Sequence, residues 1–155
     1  MSVADVQFLD PGPLVDDDLE LLLVACAPGD PWRGWAPSYR FAMRRAGTGE
    51  YVGEIGLRVG HSERLERYAG HIGYHVEPPY RGHHYAARGV RLLLPLARAH
   101  GLNPLWVTCN PDNWASRRTC ELAGGVLVEI VDVPPDDELA LRGEPRKCRY
   151  RLDLA

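Results

Sequence analysis

The sequence predicts one α/β (α+β) domain built around a mixed β-sheet. Three observations carry that expectation. The chain has 155 residues, the size of one domain with a real core. Apolar residues alternate in some segments and recur at helical spacing in others. These segments interleave as strand, helix, two or three strands, helix, strand, helix and two strands. No internal repeat or low-complexity tract divides the chain, so residues 1–155 form a single unit.

Residues 6–8 read as a short first strand. Residues 16–26 read as a helix, because Asp16, Asp17 and Asp18 suit the positive end of a helix dipole. A Pro- and Gly-rich loop follows and holds Asp30, Trp32 and Trp35. Residues 39–45 alternate, with Tyr39, Phe41 and Met43 on one face. Gly47-Thr48-Gly49 turns the chain into a second strand, 51–59. On that strand Ile55 and Leu57 lie on the apolar side, and Glu54 and Arg58 on the other. Residues 60–69 form a polar loop and 71–76 a further strand. Ala86, Val90, Leu93, Leu94 and Ala97 mark a long half-buried helix over 85–100, with Pro95 inside it and Gly101 at its stop. A buried strand at 105–109, a helix at 113–123 ended by Gly124-Gly125, strands at 126–133 and 149–154, and a polar insert at 134–147 complete the chain.

Composition excludes some function classes. Apolar residues make up 45%, charged residues 25%, and the net charge is -3, so no general attraction to nucleic acid or anionic membrane is expected. Any anionic ligand must be held locally. No apolar run reaches the length of a bilayer span. The first thirteen residues lack the basic and then apolar pattern of a leader peptide. Cys26, Cys109, Cys120 and Cys148 have no C-x-x-C spacing and read as reduced thiols in a cytoplasmic protein; the alternative is a disulfide in a secreted one.

The most informative stretch is Ile72-Gly73-Tyr74-His75-Val76-Glu77-Pro78-Pro79-Tyr80-Arg81-Gly82-His83-His84-Tyr85-Ala86. It is a strand, a tight turn and the start of a helix. The first turn of a helix offers free N–H groups and a partial positive charge, a natural seat for a diphosphate. Gly82 and Ala86 leave room for phosphates near the backbone, and Arg81 adds positive charge.

This segment resembles the GNAT superfamily of N-acetyltransferases. Their signature, Arg or Gln, two residues, Gly, one residue, then Gly or Ala, reads here Arg81-Gly82-His83-His84-Tyr85-Ala86. Ile72-Gly73-Tyr74 and Pro78 look like the branch acting on protein N-termini and related amines. Asn110-Pro111-Asp112-Asn113-Trp114-Ala115-Ser116, running to Gly124-Gly125, is similar to the family's Asn-x-Ala-Ser helix. His84 stands where the signature has its central Gly; it would narrow the site or set an imidazole beside a phosphate. The resemblance implies a mostly antiparallel sheet with one splayed parallel pair, acetyl-coenzyme A as cosubstrate and an amine acceptor. It places the diphosphate on the amides of Arg81, Gly82, His83, His84, Tyr85 and Ala86. The pantetheine arm goes to the backbone of Tyr74, His75 and Val76 and to Asn113. A homodimer is also compatible with the family.

Acetyl transfer needs a neutral amine, a polarised thioester carbonyl and a proton for the departing thiolate. The backbone N–H at the end of the 71–76 strand is the expected oxyanion donor. Glu54, His75 and His71 are candidate bases, Glu54 slightly ahead of His75; each is also an ordinary strand or structural residue in the simpler reading. Cys120 occupies the position of the family's tyrosine acid, and a buried core thiol is the simpler reading there. Ser116 is the alternative proton donor, or a first-turn residue bonding backbone. Trp32 and Trp35, with Asp30, form an aromatic wall for a cationic amine or a cover over the sheet. The insert with Asp136, Asp137 and Glu138 rims the same pocket or is simply solvated. The six histidines lack the converging ligands of a zinc site. A catalytically silent acyl-CoA-binding module is the competing reading. A nucleotide binder is disfavoured because G-x-x-x-x-G-K-[ST] and G-x-G-x-x-G are both missing.

Overall fold

The acidic triplet does not open a helix. In the computed structural model, which describes residues 6–154, it turns a hairpin between β1 (Leu14–Asp16) and β2 (Leu19–Ala27). Met1–Asp5, within the segment read against a leader peptide, lies outside the described residues. Asp17 adopts a left-handed φ of 51°, which Asp tolerates in two-residue hairpin turns. β2 then pairs with β3 (Ser38–Arg45). Its register shifts between Leu23 and Ala25, which breaks the alternation and hid the strand from a period-2 reading.

β3, β4 (Tyr51–Arg58) and β5 (Ile72–Val76) continue an antiparallel five-stranded sheet, in the order β1-β2-β3-β4-β5. A second antiparallel sheet contains β6 (Leu105–Cys109), β8 (Arg146–Leu152) and β7 (Val126–Asp132), in the order β6-β8-β7. α1 (Tyr85–Ala99) joins β5 to β6, and α2 (Trp114–Leu122) joins β6 to β7. The polar insert carries a short α3 (Glu138–Leu141) and gives way to β8 at Arg146, earlier than expected. Residues 6–8 form no strand; Phe8 instead packs edge-on against Tyr39, with ring centroids 5.0 Å apart. The 60–69 loop ends in a π-helical turn, Leu65–Ala69, anchored by buried Leu65. Pro95 is accommodated within α1.

The core lies between the first sheet and α1. Tyr39, Phe41, Met43, Ile55 and Leu57 from the strands meet Val90, Leu93 and Ala97 from the helix. Each fully buried aliphatic side chain contributes about 1.5–3 kcal/mol, so this layer fixes the sheet face opposite α1 as the accessible one. The first turn of α1 is tied to the β1–β2 turn. Arg88 donates to Asp16 at 2.8 Å and to Asp18 at 2.7 Å, while the Tyr85 hydroxyl donates to Asp18 at 2.9 Å. The residues that mimic a helix start therefore position another helix.

Among the described residues, backbone hydrogen bonding joins the two sheets at one point. The His71 N–H donates to the Trp106 carbonyl at 2.7 Å, and the Trp106 N–H donates to His71 Nδ1 at 2.9 Å. Beyond this junction β5 and β6 share no ladder, so the expected splay appears as a gap between the sheets.

Candidate active site

The gap opens into a cavity of about 560 Å³ on the free face of the first sheet. Cross-strand pairing assembles its floor: Glu54 stands opposite His75, and Gly56 opposite Gly73. Directly paired residues project to the same face, and all four line the cavity. Thr108, Cys109 and Asn110 from the end of β6, with Asn113 and Ser116 from the start of α2, close the other side.

The ladder also decides which backbone groups of β5 are free. The Arg58 N–H donates to the His71 carbonyl, and the Glu77 N–H to the Val52 carbonyl. Antiparallel alternation then directs the backbone of Gly73 and His75 toward β4, and that of Ile72, Tyr74 and Val76 toward the gap. Of the three expected backbone contacts, Tyr74 and Val76 face the opening and His75 does not; the His75 side chain faces the cavity instead.

At the far end of β5 the chain turns through a 3₁₀ turn, Pro78–Tyr80, into α1. The Arg81 N–H is already taken by the Pro78 carbonyl at 3.3 Å, and the Arg81 side chain donates to the Val76 carbonyl at 2.9 Å. Among the described residues no backbone acceptor faces the N–H groups of Gly82, His83, His84, Tyr85, Ala86 or Ala87; the first helical bond runs from Arg88 to His84. Gly82 has φ 97° and His84 has φ 59°. The left-handed backbone at His84 is the physical reason a glycine suits that position. The His84 side chain is exposed and makes no capping bond. The His83 ring stacks on Tyr85, with centroids 5.2 Å apart.

Asn113 caps α2, its Oδ1 accepting from the Ser116 N–H at 3.1 Å. The Tyr74 side chain crosses the gap and lies 2.6 Å from the Ser116 hydroxyl. Burial pushes the Tyr74 phenol well above its ordinary range, reinforced by Cys120, so it remains a proton donor. Cys120 is 1% exposed, and its thiol is held in the neutral form by the hydrogen bond with Cys109 and by burial. It faces the core rather than the cavity, 3.9 Å from the Tyr74 hydroxyl. All four cysteines are free thiols, and only Cys26 is exposed.

His71 leaves the list of bases. It is completely buried at the sheet junction, with Nδ1 accepting from Trp106 and Nε2 3.0 Å from the Gly60 carbonyl. Burial lowers its pKa, so it is a neutral structural imidazole. Glu54 does not pair with Arg58: four residues along one strand span about 13 Å. Trp32 is 97% exposed and lines neither cavity. Trp35 and Asp30 line a second cavity of about 570 Å³, which shares Ser38, Arg58, Ala69, Leu139 and Arg142 with the first. From the insert, Glu138, Leu139, Arg142 and Glu144 reach these cavities. Asp137 instead holds Arg64 through two hydrogen bonds, of 2.9 and 3.2 Å, and Asp136 lines neither cavity.

Sequence reasoning missed Arg58, Arg142, Glu144 and Lys147 as cavity residues. Only Arg58 left a signal, since it shares a strand face with Glu54.

A family model described as "Acetyltransferase (GNAT) domain" matches residues 3–126. No curated protein matches the sequence. Among solved structures, a Vibrio cholerae protein assigned as a ribosomal-protein-serine acetyltransferase is 18% identical, with TM-score 0.65; the alignment covers 94% of this chain and 99% of that one. An acetyltransferase from Agrobacterium tumefaciens is 19% identical, with TM-score 0.63, over 96% and 98%. The microcin C7 self-immunity acetyltransferase, solved with acetyl-CoA and AMP, is 14% identical, with TM-score 0.59, over 75% of this chain; the match spans 61% of that protein. At these identities the likeness is one of fold.

Proposed function

The chain belongs to the GNAT acetyltransferase family, and from that premise we propose that it transfers the acetyl group of acetyl-coenzyme A to a primary amine. One observation carries the reading. Free amides at Gly82–Ala87 adjoin the open edge of β5, and that edge leads into a cavity holding Glu54 and His75. The donor set fits the cosubstrate: N–H groups at a helix start suit a diphosphate, and an unpaired strand edge suits an amide-bearing arm.

Acetyl-coenzyme A supplies an activated thioester; the protein supplies orientation and proton handling. The N–H groups of Gly82 through Ala87 hold the diphosphate, and Tyr74 and Asn113 hold the pantetheine arm, since the Val76 carbonyl is occupied by Arg81 Nε. The Val76 N–H, at the end of β5, donates to the carbonyl oxygen as negative charge develops. Glu54 accepts the proton of the incoming ammonium, directly or through water, with His75 beside it as the second candidate. The Tyr74 and Ser116 hydroxyls, 2.6 Å apart, form a hydrogen-bonded pair at this end of the cavity; as the Ser116 proton passes to the departing sulfur, Ser116 regains a proton through the Tyr74 hydroxyl from solvent, so neither side chain is left charged. Cys120 is assigned no step, because it stands behind Tyr74, 3.9 Å from its hydroxyl, and does not line the cavity.

Coenzyme A and acetyl-coenzyme A are expected to raise the melting temperature, by about 2.7 kcal/mol of stabilisation at a hundred times the dissociation constant. Thiol release with a panel of amines then tests transfer. An unmoved melting temperature removes the cosubstrate; a shift without thiol release from any amine leaves a silent acyl-CoA binder.

A further inference from the structure

Resting on the acyl-transfer reading, we propose that the acceptor carries an oxyanion, a carboxylate or a phosphate, besides its amine, and that Arg58 binds it. Arg58 is a partly buried cation at the neck shared by the two cavities. Its Nη1 donates to the carbonyls of Ala69 and Gly70 at 3.2 and 2.9 Å. Among the described residues no carboxylate lies within ion-pair reach of it, and its Nε and Nη2 find no protein acceptor while not being sealed from solvent. A guanidinium offers five donors in a planar fork, so one edge is fixed to the backbone and the other is open.

The surroundings argue that an anion belongs there. Arg64 is saturated by Asp137. Arg142 and Lys147 share the single carboxylate of Glu144, at 2.7 and 2.8 Å. Of these four cations only Arg58 has no carboxylate partner among the described residues, while Arg40, Glu54, Asp30 and Glu138 add their own charges to the cavity linings. Burial, with Arg64 and Arg142 nearby, pulls the Arg58 pKa down, so its charge is held against desolvation and repulsion. A ligand oxyanion relieves both.

The spacing fits a bifunctional acceptor. The Arg58 guanidinium lies over Gly73, where a Cβ would stand 3.2 Å from Nη2. Gly73 is one same-face step, about 7 Å, from His75, and His75 stands opposite Glu54. The cavity floor is therefore anionic at the proton-accepting end and cationic at the other, with two glycines between them. That pattern complements an amino acid or an aminoalkyl phosphate better than a polyamine.

The test compares α-, β- and ω-amino acids with their carboxamides, and phosphoethanolamine with ethanolamine. Both thiol release and calorimetric binding to the coenzyme A-loaded protein are measured. The acid members should bind and react about tenfold or more better than their neutral partners, and the better anion identifies the source. Arg58→Met should erase the preference while leaving the coenzyme A melting shift intact, and Arg58→Lys should restore part of it. Equal affinity for acid and amide, no binding of any probe, or a preference that survives Arg58→Met overturns the proposal. Thiol release with neutral amines alone retains acyl transfer and discards the anion site. Anion binding without thiol release does the reverse.

Discussion

The two halves of the candidate site are made of different material. The proposed cosubstrate corner is backbone: consecutive N–H groups between Gly82 and Ala87, presented because a strand ends and a helix begins there. The acceptor cavity is side chains: Glu54 from β4, His75 from β5, Ser116 from α2, and Arg142 and Glu144 from the insert and its far end. A backbone site tolerates many side chains and is blunted only by conformation or charge. A side-chain site changes with each residue. Each half also has its own ionic anchor, Asp18 with Arg88 at the first and Asp137 with Arg64 at the second.

The largest expected effect lies in the cavity. Glu54→Gln keeps the shape and removes the proposed base, so kcat should fall by about 10²-fold or more while acetyl-coenzyme A affinity stays unchanged. If turnover survives in Glu54→Gln and collapses in His75→Gln, the two neighbours exchange roles. Tyr74→Phe comes next. It removes one hydroxyl from the Ser116 pair, which should cost about 1 kcal/mol of stability and slow turnover roughly tenfold, again without weakening cosubstrate binding. Equal slowing of a poor and a good thiol leaving group would dismiss Ser116 as the proton donor.

The same substitution logic applied to the corner should do little. Arg81 spends its Nε on the Val76 carbonyl, and its amide is already bonded. Arg81→Ala should therefore raise the coenzyme A dissociation constant by only about threefold, the worth of one exposed charge. A hundredfold loss on titration calorimetry would mean that side-chain charge, not backbone, holds the diphosphate, and would remove the contrast between the halves.

This contrast also explains what the sequence made legible. The corner is contiguous, so its turn, its glycine and its helix were readable as one string. So were the strands at 39–45 and 51–59, where alternation is clean. The β1–β2 hairpin was not, because a bulge spoiled the alternation of β2 and three aspartates imitated a helix start. The cavity residues come from segments far apart in the chain, and only pairing registers bring Arg58 over Gly73 or Tyr74 to Ser116. His71 shows the converse. Its residue type invited a catalytic role, and only its burial between Trp106 and Gly60 reveals a joint between two sheets.

The anchors give a smaller, pH-dependent effect. Hydrogen bonding from Arg88 holds the Asp18 carboxyl below its ordinary range, and hydrogen bonding from Arg64 does the same for Asp137. A depressed carboxylate contributes stability that is fully present above its unfolded value, near 4, and is lost as the pH falls through the folded value. The melting temperature should thus decline below about pH 4. Asp18→Asn and Asp137→Asn should each lower it at neutral pH and flatten that decline. In Asp137→Asn the new side chain can still accept the Leu139 N–H that caps α3, so the change isolates the charge. Parallel acid profiles for wild type and variants would show that neither anchor matters.

The smallest effect tests the backbone itself. His84 holds φ 59° without a compensating side-chain bond. A left-handed residue other than glycine costs about 1–2 kcal/mol, and glycine returns about 0.5–1 kcal/mol of that through the freer unfolded chain. His84→Gly should therefore stabilise the protein by roughly 0.5–1 kcal/mol, a rise of about 1–4 °C in Tm at this chain length. Coenzyme A affinity should hold or improve, since the amides keep their directions and an exposed imidazole is gone from beside them. A lower Tm, or weaker coenzyme A binding with an unchanged Tm, would mean that the imidazole itself contributes. The corner would then be partly a side-chain site, like the cavity it feeds.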